Sequence, residues 1–346
     1  MAHDRGDFFG AFFHMSDFRV VITDFLHDDL APERRILNGI AEVSALEAHG
    51  EDELVGRIET ADAVIVYHEI SLTERSIHRL QQCRIIVRGG VGYDNIDYRF
   101  ARQRGIPVAN VPDYGTEEVA DTAIGMTLAL TRGIHAANSQ LRAADAKGYW
   151  SYAQVAPLAR LRGRVFGIVG LGRIGMAAAL RAKALGMDVV FHDPYKPDGY
   201  DKALGIRRVE SLEELLSASL VVSLHCPLTD ETRHLINAQT LALMPPGCYL
   251  VNTSRGGVVD TRAIPPALVS GRLAGAGIDV LEQEPPAADD PLLVAWRDPA
   301  HPAQHRLILN PHAAFYCEEG MHDMRTKAAE ACRRALTGQA IRNVVN

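Results

Sequence analysis

The 346-residue sequence predicts an α/β fold made of two doubly wound parallel sheets with a functional cleft between them. Three observations carry that prediction. The length favours two domains over one. Short β-branched runs alternate with helix-permissive stretches, the pattern of a parallel sheet covered on both faces. The alternation also runs through twice, with a very apolar helical segment between the two series.

The first series starts with "RVVIT" after Phe18, followed by a polar, helix-permissive stretch from Pro32. "DAVIVY" (62–67) and "RIIVRGGVG" (84–92) read as the next strands, and "IPVANV" (106–111) closes the series. The segment 116–134, "TEEVADTAIGMTLALTRGI", opens like a helix N-terminus and continues in small apolar residues. A helix of that composition is buried on most sides. The second series comprises "GRVFGIVGLG", "MDVVFHD", "SLVVSLHC", "GCYLVNTSRGG", "LAGAGIDV" and "RLILNPH". The chain then ends in an amphipathic helix from about Glu318 to Leu336, which is expected to return to the first sheet. The expected domains are 18–113 with 316–346, and 114–315 inserted between them. Residues 1–17 are expected to be a disordered extension.

Composition excludes several classes. With 36 Lys and Arg against 43 Asp and Glu, the formal charge of −7 argues against a sequence-independent grip on nucleic acid. The five cysteines form no CxxC pair, no disulfide framework and no zinc-site spacing, so reduced thiols in the cytoplasm and no bound metal are expected. No apolar stretch has the length of a membrane span, and the N-terminus lacks the apolar core of a secretory signal.

Chemistry concentrates in the second series. Gly170-x-Gly172-x-x-Gly175 follows a strand and opens an alanine-rich helix. In that context the first glycine permits a tight turn, the second lets backbone approach a pyrophosphate, and the third lets helix and strand pack closely. This Rossmann-type turn points to a dinucleotide cofactor. Asp193 stands 18 positions after Gly175, at the end of "MDVVFHD", where a carboxylate binds ribose hydroxyls and repels a 2′-phosphate. NAD is therefore expected over NADP, although Lys196 stands near enough to blur the preference.

Three residues follow consecutive strands: Arg255 after "YLVNTS", Glu284 after "GAGIDVLEQ" and His312 after "LILNP". Singly they read as well as a salt bridge, a solvated acidic loop and a packed histidine. Strand C-terminal ends in an open α/β sheet face the ligand crevice, so together they converge beside the cofactor. Reduction of a 2-oxo acid needs a proton for the carbonyl oxygen, which His312 can give. A carboxylate on the far ring nitrogen favours the imidazolium, and Glu284 is the candidate. A planar cation suits the substrate carboxylate, which is Arg255. The "RGGVG" turn adds backbone N–H groups and Arg88 as a second anion clamp.

With these motifs, the chain from about Phe18 onwards resembles the D-isomer-specific 2-hydroxyacid dehydrogenases. "GYDNID", "VGLGRIG", "HCPLT", "VNTSRGG", "GIDVLEQEP" and "NPHAA" carry the resemblance. "YHEISLT", "RIIVRGGVGYDNID", "RHLIN" and "PHAAFYCEE" make it most similar to the C-terminal-binding-protein branch. The resemblance implies one flavodoxin-like and one Rossmann domain, and an NAD-dependent enzyme acting on a small 2-oxo or 2-hydroxy acid. Arg255, Glu284 and His312 would be catalytic. Thr116, Gly170, Gly172, Arg173, Ile174, Gly175 and Asp193 would contact the cofactor, with His225, Cys226, Pro227, Thr229, Thr253 and Asp279. His68, Arg88 and the backbone of Gly90, Val91 and Gly92 would contact substrate. A homodimer through the helix starting near Thr116 is also implied.

Three departures from the family stand out. Phe315 occupies a position where the animal corepressors of that branch carry Trp, so the substrate pocket is expected to differ. The segment 287–305 is a long, proline-rich loop, able to cover the active site or an oligomer contact. Pro265-Pro266 should delay or kink the helix after "RGGVVD". The alternative functions are an NADH-responsive scaffold for protein partners and a related dehydrogenase of another small anion. The formate enzymes of the superfamily have Gln where Glu284 stands.

Overall fold

The structure, a computed structural model, describes residues 18–143, 150–152 and 158–346. The expected extension, 1–17, lies outside the described residues. The chain divides into two compact units. Unit 1 holds the described residues up to Tyr114 together with Glu318–Asn346, and unit 2 runs from Gly115 to Cys317.

Unit 1 is a five-stranded parallel sheet of β1 (Phe18–Ile22), β2 (Ala41–Ala45), β3 (Ala63–Val66), β4 (Ile85–Arg88) and β5 (Val108–Asn110). Their order, β2-β1-β3-β4-β5, is the flavodoxin-like arrangement. β3 and β4 are buried along their whole length, which accounts for their unbroken apolar runs. The amphipathic helix Glu318–Leu336 packs on the helix Ala31–Leu37 and on β3 and β4. Arg325 locks that packing. Its guanidinium meets both oxygens of Glu33 at 2.7 Å and both oxygens of Asp28 at 2.5 and 2.9 Å, and Glu33 is fully buried. A buried carboxylate needs this kind of bidentate partner.

Unit 2 is a seven-stranded parallel sheet of β6 (Val165–Val169), β7 (Asp188–His192), β8 (Arg207–Arg208), β9 (Val221–Leu224), β10 (Cys248–Asn252), β11 (Leu273–Ile278) and β12 (Leu307–Leu309). The order β12-β11-β10-β9-β6-β7-β8 is the Rossmann order with one more strand beyond β11. Alternate residues feed two cores. Val169, Val222, Leu224, Leu250 and Ile278 point to one face, and Phe166, Ile168, Val221 and Val251 to the other. The helix Thr116–Thr131 covers the second face with Ala123, Ile124, Met126 and Leu130. Only the stripe Glu117, Asp121 and Gly125 is exposed, so the helix is covered on most sides, as its composition suggests. Arg181 bridges Glu117 and Asp121 there.

The prolines behave as the sequence suggests. Pro265 and Pro266 occupy the first turn of the short helix Ile264–Val269, where a missing N–H costs nothing. The segment after Pro286 is not a bare loop. It contains the helices Pro291–Arg297 and Ala303–Arg306, and its second half packs on the helix Ile134–Ala143. Residues 299–306 thus sit where β12 begins, at the opposite end of that strand from His312.

Candidate active site

The glycine turn of unit 2 has three distinct demands. Gly170 is left-handed (φ 89°), and a Cβ there would lie 2.7 Å from the Cys226 backbone nitrogen. A Cβ at Gly175 would lie 2.2 Å from the Gly170 carbonyl oxygen, so helix and strand touch there. Gly172 is the opposite case, since nothing lies within 4 Å of a Cβ at that position. The open space stands at the start of the helix Arg173–Ala184, whose N-terminus has no side-chain cap. Free N–H groups and the helix dipole there suit a phosphate. Arg173 and Ile174 form the first helical positions.

Asp193 is nearly buried at the end of β7 and ties the turn together. Its two oxygens accept from the Leu171 N–H (2.8 Å) and the Tyr195 N–H (3.0 Å). Lys196 is turned onto the Tyr200 ring, with its nitrogen 5.1 Å from the centroid. Across the strand-order reversal between β6 and β9 lies the loop His225–Thr229. His225 Nε2 pairs with Ser223 Oγ at 2.9 Å, while its buried Nδ1 has no hydrogen-bond partner. Burial pushes the His225 pKa down to about 4, so the ring is neutral at neutral pH. Burial likewise raises the Cys226 thiol to about 11. Thr232 shapes this loop, accepting from the Thr229 N–H and donating to the Pro227 carbonyl. Thr253 Oγ1 at the end of β10 is also buried without a partner. An open glycine, an uncapped helix and two orphaned polar atoms around one crevice fit a dinucleotide.

The strand ends of β10, β11 and β12 carry Arg255, Glu284 and His312. Asn252, fully buried, builds the Arg255 turn. Its oxygen accepts from the Ser254 N–H and hydroxyl, and its amide donates to the Arg255 carbonyl at 3.0 Å. The Arg255 side chain donates to the Ser254 carbonyl at 2.9 Å. Gly256 lies so close to the next loop that a Cβ would be 1.9 Å from the Leu281 carbonyl carbon. That contact sets the loops of Arg255 and Glu284 side by side. Glu284 is held by one oxygen on the Leu281 N–H (2.8 Å) and meets His312 Nδ1 with the other at 2.6 Å. Two residues earlier, Glu282 bridges Arg233 and His234.

His312 has a left-handed backbone (φ 51°), unusual for a residue with a side chain. Its N–H donates to the Asp279 carbonyl at 2.7 Å. The Asp279 carboxylate, 2% exposed, accepts from Asn310 Nδ2 (2.5 Å) and from the N–H groups of Ala313 and Ala314 (both 3.0 Å). Burial raises the Asp279 pKa, against the pull of these bonds. The Phe315 ring stands edge-on to the His312 ring, 6.1 Å between centroids. Gly115, just before Thr116, packs under Phe315, and Thr122 Oγ1 donates to the Ala314 carbonyl. The His312 loop therefore rests on the first turns of the helix that Thr116 opens.

In unit 1, His68 follows β3 and Arg88 ends β4. Asp24 accepts from the N–H groups on both sides of His68, Tyr67 and Glu69, at 2.8 Å each. Asn95 caps the same loop through the carbonyls of Tyr67 and Ile70. The Arg88 guanidinium is buried and donates to the Gly89 carbonyl at 2.7 Å. A Cβ at Gly90 would collide with it. Asn110 holds the Val91 carbonyl at 2.6 Å, which fixes the turn running to Gly92. Sequence reasoning missed Asp24, Asn95, Asn110, Asn252 and Asn310. Asp24, Asn95, Asn110 and Asn252 act by shaping backbone and Asn310 by holding the Asp279 carboxylate, and their only signal was an amide or acid at a strand end or in the turn after it. Among the described residues no cluster of three or more His, Cys, Asp and Glu could hold a metal, and no helix is long and apolar enough to cross a membrane.

Residues 124–314, more than half of the chain, match the family described as D-isomer specific 2-hydroxyacid dehydrogenase, NAD binding domain. The D-3-phosphoglycerate dehydrogenase of Methanocaldococcus jannaschii is 35% identical over 328 residues, 95% of this chain and 59% of that protein. C-terminal-binding protein 1 of Caenorhabditis elegans is 34% identical over 316 residues, 90% of this chain and 42% of that protein. The chain thus spans less than two thirds of the length of either relative, and their near-equal identities favour neither branch. The D-lactate dehydrogenase of Aquifex aeolicus, solved with NAD and lactic acid, superposes with a TM-score of 0.82 at 28% identity over 92% of this chain and 96% of that one. Sequence match and fold agree: the chain belongs to the D-isomer-specific 2-hydroxyacid dehydrogenase family.

Proposed function

We propose that the protein is an NAD-dependent D-2-hydroxyacid dehydrogenase that interconverts a small 2-oxo acid and its D-2-hydroxy acid. One observation carries this reading: the 2.6 Å pair of His312 Nδ1 and Glu284, on a strand end neighbouring the Arg255 turn. When bound, the nicotinamide supplies or accepts the hydride at the substrate C2. The chain's residues do the rest. Arg255 binds the substrate carboxylate and polarises the carbonyl with a permanent charge. Glu284 orients the imidazole through Nδ1, leaving His312 Nε2 to give its proton to the carbonyl oxygen. The Gly170–Gly175 turn would hold the pyrophosphate and Asp193 the ribose hydroxyls, with Thr253 and Asp279 near the nicotinamide. His68, Arg88 and the N–H groups of Gly90–Gly92 are the proposed substrate contacts of unit 1. The relatives named as D-3-phosphoglycerate and D-lactate dehydrogenases support a D-2-hydroxy acid as the substrate class, and Phe315 is the residue proposed to tune its side chain.

The test is NADH oxidation with glyoxylate, pyruvate, hydroxypyruvate and phenylpyruvate, with Arg255→Ala as control. Turnover lost in the control with NADH affinity kept supports the reading, while equal loss of NADH affinity makes Arg255 structural. The similarity to C-terminal-binding protein 1 favours a second reading, an NADH-responsive scaffold. Tight NADH binding with no turnover on any of these acids would replace the first reading by the second. We also propose a homodimer. Ile134, Trp150 and Tyr152 of unit 2 expose large apolar side chains, which supports self-association. Light scattering on the eluting protein tests it.

A further inference from the structure

At the end of the seven-stranded sheet where its strands begin, opposite the strand ends that carry Arg255, Glu284 and His312, unit 2 holds a cavity of about 670 Å³. The five residues of β10 and the six of β11 put roughly 17–20 Å between this end and the turns of Arg255 and Glu284, so a ligand here is not the substrate. The walls come from residues at the starts of β10, β11 and β12, from the head of the helix Ile134–Ala143 and from the loop 299–306. The volume lies within the range of small-molecule sites.

The lining is unlike the rest of the chain. Arg306, His135, His301 and His305 line it, with Tyr249 and Gln140, and among the described lining residues none is acidic. The whole chain has more acids than lysines and arginines, 43 against 36. A wall with one guanidinium, three imidazoles and no carboxylate is therefore a local reversal of sign.

Hydrogen bonding fixes how these groups present themselves. His301 Nδ1 accepts from the Ala303 N–H at 3.0 Å, so that ring carries its proton on Nε2 and is a donor there. His135 Nδ1 lies 3.2 Å from the Ala129 carbonyl, which can only accept, so its proton is on Nδ1. His135 Nε2 is then a buried lone pair with no partner, and His305 Nδ1 is also buried with none. Buried polar atoms are almost always paired, and two orphans on one basic wall need an explanation. An anion provides one at His305, whose neutral ring can carry its proton on Nδ1 and donate it there, whereas burial lowers the His135 pKa and favours its neutral form. The helix Ile134–Ala143 begins at the cavity, and the positive end of its dipole has the same sign.

We propose that this cavity is an accessory binding site for a small oxyanion, a phosphate or a carboxylate, clamped by Arg306 and the imidazoles of His301 and His305, with His135 in the wall. The site stands independently of the dehydrogenase reading, since it shares no residue with that machinery.

The experiment is calorimetric titration of the full chain with inorganic phosphate and with citrate, at ionic strength held constant with chloride. Arg255→Ala is the background, so that binding at the strand ends near His312 does not contribute. Saturable binding in Arg255→Ala, weakened by roughly tenfold or more on adding His305→Gln or Arg306→Gln, supports the site. Tighter binding of phosphate identifies a phosphate site, and tighter binding of citrate a carboxylate site. Absence of saturable binding by both anions overturns the proposal. So does binding that survives both added substitutions, or that chloride abolishes. His305→Gln keeps a polar side chain of similar reach, and an unchanged melting temperature separates lost binding from lost fold.

Discussion

Asp279→Ala should disable the protein without touching Arg255, Glu284 or His312. The carboxylate is the shared acceptor for Asn310 Nδ2 and for the N–H groups of Ala313 and Ala314. Truncation strands the two backbone donors, at about 1–3 kcal/mol each. It also releases the left-handed His312 backbone, a conformation costing about 1–2 kcal/mol that the surrounding bonds now impose. Against this stands relief of a buried charge, since burial raises the Asp279 pKa. The net expectation is a local loss of about 2–4 kcal/mol, enough for the 312–315 loop to relax. Turnover should then fall roughly 10²-fold, the scale of a displaced general acid. Asp279→Asn keeps an acceptor oxygen and should fall between the variant and wild type. Both variants also separate from the wild type by pH. A carboxyl with a raised folded pKa binds its proton more readily in the folded chain. Its contribution to stability is best at low pH and is lost as pH rises from its ordinary 3.8 through the folded value. Urea melts at several pH values, with steady-state kinetics, measure both effects. If Asp279→Ala keeps kcat within about threefold, His312 is held by something else and the reasoning fails.

Three further outcomes are expected. Gly172→Ala should leave the melting temperature unchanged, because its Cβ meets nothing within 4 Å, yet weaken NADH binding measured by fluorescence titration. A variant that binds NADH normally would remove Gly172 from the cofactor crevice. Arg325→Met should destabilise unit 1 by about 3–5 kcal/mol in urea, because it leaves Glu33 buried and unpaired, and Glu33→Met added to it should restore much of that. Arg325 also holds the Asp28 pKa below its ordinary 3.8, so that share of stability is present above pH 3.8 and is lost as pH falls through the lower folded value. Burial raises Cys83 and Cys248 to about 12 and Cys226 to about 11, and it raises Cys332 as well. Iodoacetamide at pH 8 should therefore modify Cys317 first, and mass mapping that finds Cys332 labelled in the folded chain would contradict its complete burial.

The strands that sequence made legible are the buried ones. β3, β4, β6 and β9 to β11 announce themselves because a strand covered on both faces is apolar throughout. The two that went unread, β2 and β8, are sheet edges, as are β5 and β12, whose apolar runs were still readable. β2, "AEVSA", buries only Val43, and β8 is two arginines, so neither carries a pattern that separates strand from loop. The site divides in the same way. Arg255, Glu284 and His312 were readable because their side chains have chemistry. Asn252, Asp24 and Asn95 were not, because their work is to bend backbone that is distant in sequence. The exposed stripe on Thr116–Thr131 was hidden for a related reason: small residues such as Gly125 do not reveal which side faces a sheet.

The ion pair of Glu33 and Arg325 spans 292 positions of sequence, with all of unit 2 between its partners. On the ribosome the order of emergence then matters. Unit 2 is continuous from Gly115 to Cys317 and can close as soon as its own last strand is free. Unit 1 waits for the final helix, so through most of synthesis β3 and β4 have one face uncovered and Glu33 has no guanidinium to meet. The first third of the chain made is the last to finish folding, and it holds an exposed apolar sheet while a neighbour folds downstream. A chain truncated just before Glu318 would present a completed unit 2 tethered to a unit 1 that protease or chaperone can still read as unfinished.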